Sequence, residues 1–170
     1  MTAQLTTFLD LFALGDAATT QRLTERLALV LADPAGYESR FAEELAERGI
    51  GAGLARQELR DVALIDALLA EDLAVECDWK ELADEMAEGL NLVLSRQGRP
   101  LIPQPEALHT GGEPGPEQLD TVQEALEPLG LALVLFTLDS DSYPLGVVAQ
   151  DAADTLAAQA GALGFGVSVY

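Results

Sequence analysis

Basic residues, cysteine and aromatics are all scarce in this chain, and each scarcity closes off a class of function. Nine lysines and arginines stand against 29 aspartates and glutamates over 170 residues, a formal net charge of −20. A surface of that sign repels a phosphate backbone, so nucleic-acid binding through a basic footprint is excluded, while a basic protein face, a metal ion or a cationic ligand is attracted. High solubility alone would also follow from it. The single cysteine, Cys77, can make no internal disulfide and reads as a small core residue beside Asp78 and Trp79. Its isolation fits a reducing compartment. The start, Met1-Thr2-Ala3-Gln4, has neither the basic opening nor the apolar run of a secretion signal, and no stretch reaches the length of a membrane span, so the expectation is a cytoplasmic protein that does not engage a membrane. Lysine and asparagine occur once each, as Lys80 and Asn91, amid abundant alanine, glycine, arginine and proline, as in a GC-rich bacterium.

Aromatics make up 5% of the chain, which leaves alanine, leucine and valine to fill a core. With 49% hydrophobic and 22% charged residues the chain has the material for one, and its length suits a single domain spanning 1–170. No Gly-x-Ser-x-Gly, His-Glu-x-x-His or Cys-x-x-Cys occurs. An enzyme here would have to work with carboxylates, whose abundance discriminates nothing.

Residues 1–70 carry helical periods. Leu5, Phe8, Leu9 and Phe12 share a face that stops at Gly15; Asp16 then caps a segment with Leu23, Leu27, Val30 and Leu31 inward, ending before Asp33-Pro34. A third helix holds Tyr37, Phe41 and Leu45, and Gly49 to Gly53 turns the chain into a fourth with Leu54, Leu59, Val62, Ile65 and Leu69 inward. That glycine cluster follows a helix, whereas a phosphate loop follows a strand.

The period changes near residue 72. Leu73 to Cys77 reads as a strand, and Trp79 to Leu94 as a helix with Leu82, Met86, Leu90 and Val93 inward, Asp78 being placed to cap it. The prolines and glycines of 97–116 predict a long irregular connection, either padding or a lid, which contains the only histidine, His109. After a short helix over Gln118–Leu126, Leu131 to Leu138 is apolar on both faces, as a strand covered on one side by helices and shielded on the other would be. A polar turn, Asp139-Ser140-Asp141-Ser142, leads into a returning strand, Tyr143–Ala149. Asp151 then caps a helix to Leu163, and Phe165–Tyr170 closes the chain as a strand. The fold class is α+β: a helical N-terminal part packed on a ferredoxin-like β-α-β-β-α-β sheet layer in 71–170, with one extra helix in the first crossover.

Asp139 and Asp141, two residues apart at a strand end, could share Mg²⁺ or Mn²⁺, with Asp78 as a third ligand, in a divalent-metal hydrolase or transferase. No other cofactor is expected. The domains in which an Asp-x-Asp pair serves phosphatases or nucleotide-sugar transferases differ: only 29 residues follow Asp141, and helices precede it. The plainer expectation is a turn whose Asp and Ser side chains bond their own backbone.

Val75-Glu76-Cys77-Asp78-Trp79-Lys80-Glu81, and Leu135 to Tyr143 with Gly146-Val147-Val148, together resemble a family of small acidic bacterial proteins known as a domain of unknown function, with a D-W-K centre and a later D-S-D-S-Y hairpin. The resemblance covers about residues 73–170. It implies no activity; Asp78, Trp79, Asp139, Asp141 and Tyr143 fall on its motif positions and are the candidate binding residues. The sequence favours a non-enzymatic binding protein with a basic protein partner, in the manner of an immunity protein or accessory subunit. A small-ligand sensor with a pocket between helices and sheet is the further alternative.

Overall fold

The apolar spacings of the first third produce five helices rather than four. The computed structural model describes residues 1–109 and 111–170, in which α1 (Thr2–Ala13), α2 (Ala17–Ala32), α3 (Pro34–Arg40), α4 (Ala42–Glu47) and α5 (Arg56–Ala70) precede the first strand. Asp16 caps α2 as expected, its carboxylate accepting from Thr19 N at 3.1 Å. The single helix expected over Tyr37–Leu45 is instead bent at Phe41 (φ −109°, ψ 23°) into α3 and α4. The Phe41 ring is held there, 4.5 Å from Tyr37 and 4.1 Å below the Arg26 guanidinium. Backbone bonds Phe41 N to Tyr37 O and Leu45 N to Phe41 O run through the bend, so the apolar face survives it.

The remainder comprises β1 (Val75–Asp78), α6 (Ala83–Arg96), α7 (Glu117–Leu126), β2 (Leu131–Phe136), β3 (Ser142–Ala149), α8 (Ala153–Leu163) and β4 (Val167–Val169). Class α+β is thus present, with one four-stranded antiparallel sheet in the order β1-β3-β2-β4. The expected succession of elements is found, but the ferredoxin-like arrangement would set the closing strand beside the first. Here β4 pairs with β2, and β1 and β4 occupy opposite edges.

Helix α6 starts later than its period suggested. Asp78 accepts from Lys80 N and donates its own N–H to Glu81, and Leu82 N donates to Glu85. These carboxylates hold Trp79 and Lys80 in a turn, and Leu82 rather than Asp78 is the residue before the first helical turn. Asp151 likewise lies in a 3-10 turn (Gln150–Ala152) and caps nothing. The 97–116 connection is less irregular than its prolines predicted: Pro105–Leu108 forms a 3-10 turn, and Ile102 is buried with both its backbone groups bonded to the Asn91 amide.

Successive residues of the central strands feed two cores. Ala132, Val134, Phe136 and Val148 meet α1, α5 and α8; Leu131, Leu133, Leu145 and Val147 meet α6 and α7. The sheet is therefore a middle layer, which is why β2 needs no polar face. Among the described residues no helix is long and apolar enough to cross a membrane.

Gly146 is fixed by this packing. A Cβ there would stand 3.0 Å from the Phe136 ring and 3.6 Å from Leu73 O. Gly146→Val is expected to cost about 1–3 kcal/mol through overpacking. Urea unfolding should show a lower midpoint at unchanged slope; an unaltered midpoint would mean that the ring can move aside.

Candidate functional site

Antiparallel pairing of β1 with β3 decides which candidates meet. The register sets Asp78 opposite Ser142 and Cys77 opposite Tyr143, and Trp79 N donates to Asp141 O at 3.1 Å. Four of the five candidates thus gather where β1 ends and the β2–β3 turn passes into β3, with Asp139 earlier on the same turn. They do not share one surface. The Tyr143 side chain packs half-buried on the core beneath α6, and Trp79 is 41% exposed with the Lys80 ammonium 5.5 Å from its ring. Asp139 and Asp141 line a groove of about 480 Å³ that Asp78, Trp79 and Tyr143 do not reach.

Arg48 and Glu76 form part of the lining of that groove, and sequence reasoning missed both. Arg48, from the end of α4, donates Nε to Asp66 of α5 and both Nη groups to Glu76, at 3.2 and 2.8 Å. Ser142 Oγ donates to Glu76 at 2.7 Å, and the Ser140 and Ser142 hydroxyls lie 2.8 Å apart. The polar turn is therefore tied through side chains to the helical layer, and the expected bonds to its own backbone are not made among the described residues. Alternation offered one signal: Glu76 sits between Val75 and Cys77, which turn to the other face.

Burial works to raise the Glu76 carboxyl, but hydrogen bonds from Arg48 and Ser142 more than reverse this and leave it below its ordinary value. For Asp66 burial wins, and the group lies above its ordinary range despite Arg48. One Asp66 oxygen is buried without a hydrogen-bond partner. The two acids thus push stability in opposite directions with pH. Glu76 contributes stability above its ordinary value of 4.5 that is lost as pH falls through its lower folded value; Asp66 contributes at low pH and loses that as it ionises.

Among the described residues no three His, Cys, Asp or Glu side chains come together as a metal-holding group. The Asp78 carboxylate is turned onto Lys80 N instead of into the groove. His109 lies elsewhere, its Nδ1 3.3 Å from Asp84 at the start of α6. Cys77 is buried, and burial, followed by Glu81, pushes its thiol up to about 12, which removes it as a nucleophile.

The chain belongs to the family described as Domain of unknown function (DUF6630), whose model matches residues 4–170. The match takes in α1–α5, so the resemblance seen in 73–170 extends over the N-terminal helices as well. No curated protein and no solved structure matches the chain.

Arg48→Ala leaves Asp66 and Glu76 without their shared cation, and is expected to cost about 2–4 kcal/mol at neutral pH. Glu76→Gln should flatten the acid limb: the variant loses less stability than the parent as pH drops below about 4.5. Denaturant midpoints from pH 7 to 3 check both, and an acid limb of unchanged steepness in Glu76→Gln would remove Glu76 from the account.

Proposed function

We propose that the protein is a non-enzymatic binding module for a basic protein, in the manner of a neutralising immunity protein or an accessory subunit, and that the β2–β3 turn with its groove is a contact surface. The observation that carries this is the distribution of cations. No lysine or arginine follows Arg99 in the sequence, whereas carboxylates continue to Asp154. Arg22, Arg26, Arg48 and Arg96 each lie in an ion pair within the fold.

Arg48, the arginine in the groove, is saturated by Asp66 and Glu76. Asp139, Ser140 and Asp141 are exposed on the turn, and Trp79 stands nearby with its ring already faced by the Lys80 ammonium. Carboxylates arranged this way steer a basic partner and fix its register at small cost in preorganisation. The turn is held from below by Glu76 and does not need to order on contact.

Tagged protein incubated with its host's lysate should retain a stoichiometric basic partner at low ionic strength and release it at high salt. Asp139→Asn with Asp141→Asn should weaken that complex about 3- to 30-fold, chiefly through the association rate. An empty resin at both salt concentrations would overturn the proposal.

A further inference from the structure

A second cleft adjoins this groove and shares Ile50, Leu138 and Asp139 with it. It measures about 380 Å³ and lies between the first two turns of α5 and the start of the β2–β3 turn. Ile50, Leu54, Val62 and Leu138 give it apolar walls; Asp61 is its one buried carboxylate, and Glu58 and Asp139 are exposed. No lysine or arginine lines it.

Asp61 is the unusual member. Only 6% of it is exposed, yet no ion pair reaches it among the described residues. Its donors are neutral: Gly166 N at 2.7 Å on Oδ1, and the Gln57 amide at 3.2 and 3.1 Å. That amide is shared with Gly164 O at 2.8 Å, which anchors Gln57 between α5 and the end of α8 and holds Asp61 in one orientation. A carboxylate withdrawn from water is costly unless a cation offsets it. The positive end of the α5 dipole is nearby, but Glu58 in the first turn counters it.

We infer that this cleft receives one arginine or lysine side chain of the basic partner, the stem lying along Ile50, Leu54, Val62 and Leu138 and the cationic head meeting Asp61, Glu58 and Asp139. This rests on the binding function proposed above and gives it an anchor point. A long side chain with an apolar stem and a charged tip suits apolar walls with carboxylates, and the planar fork of a guanidinium can address two of them at once. The complementarity is local: the cleft is acidic with no basic residue in its own lining, whereas the adjoining groove is partly neutralised by Arg48.

The test is a titration of the isotope-labelled full chain with N-acetylarginine methylamide at low salt, followed by backbone amide shifts, with the neutral citrulline counterpart as control. Saturable shifts at Ile50, Leu54, Val62 and Leu138 with the arginine probe alone are expected. Glu58→Gln with Asp139→Asn, both at exposed positions, should weaken the probe about tenfold. Glu124→Gln with Glu127→Gln removes the same charge from the opposite layer and should change it less than twofold. Shifts scattered over the acidic surface, or equal losses in the two double variants, would overturn the cleft while leaving charge-driven partner binding intact. Silence of the probe alongside a retained lysate partner would also remove the cleft; silence together with an empty resin would sink both.

Discussion

A strand that is apolar on both faces cannot be left with either face in water, and the rest of this structure follows from that requirement. Leu131 to Phe136 alternates between two cores, one built with α1, α5 and α8 and the other with α6 and α7. Burying one such side chain is worth about 1.5–3 kcal/mol, so neither helical layer is dispensable. This gives a physical reason for the family match to begin at residue 4 and not at the first strand. Phe8, Phe12 and Phe136 touch through their rings, and Phe165 stacks on Phe8 at 5.6 Å, so the first helix and the segment between α8 and β4 close over the same face.

Charge is distributed according to the same layering. Cations sit where separate elements must be joined: Arg22 pairs with Glu71, Arg48 joins α4 to α5 and β1, and Arg96 ties the end of α6 to Asp16, Thr19 and Glu71 O. The Asp16 carboxyl is lowered to about 2, first by its Thr19 hydrogen bonds and then by Arg96. Arginine suits this work because its fork can satisfy two acceptors on different elements. Once those joints are made, the later strands and helices keep carboxylates without cations of their own.

Local chemistry was legible in the sequence, and tertiary geometry was not. The helical periods, the Asp16 cap, the β2–β3 hairpin and the two-faced character of β2 can all be read from residues close in the chain. The bend at Phe41 could not, because it depends on Arg26 from another helix. Nor could the start of α6, where the Glu85 side chain bonds Leu82 N, which the apolar period assigned to a helix, and Glu81 bonds Asp78 N just before it. Asp139, Asp141 and Asp78 looked alike as acids; the structure separates them by what each faces. Arg48, Asp66 and Glu76 were invisible as a group because Asp66 stands 18 positions and Glu76 28 positions along the chain from Arg48, and Asp61 because no motif marks a buried acid. The edge position of β4 is likewise a matter of pairing, which alternation within a strand does not specify.

The location of the clefts follows from how β3 changes partners. Its residues 142–145 pair with β1 and residues 145–149 with β2, so Leu145 alone is paired on both sides. Pro144, which has no N–H to give, falls just past the last β2 pair, where its missing donor leaves no gap in that ladder. Beyond this point β2 and β3 separate, and Thr137 to Asp141 spans the opening. Thr137 N turns to Gly166 O, while a side chain at Gly166 would meet Thr137 Oγ1 at 2.6 Å, so the far edge is pinned as well. The sheet therefore ends in a rigid but incompletely filled corner, bordered by Ile50 and Leu54 from the glycine-rich turn and by the first turns of α5. Such a corner presents carboxylates beside apolar walls, and the proposed anchor takes a long basic side chain rather than a small hydrated ion because only the former has a stem to lay along those walls.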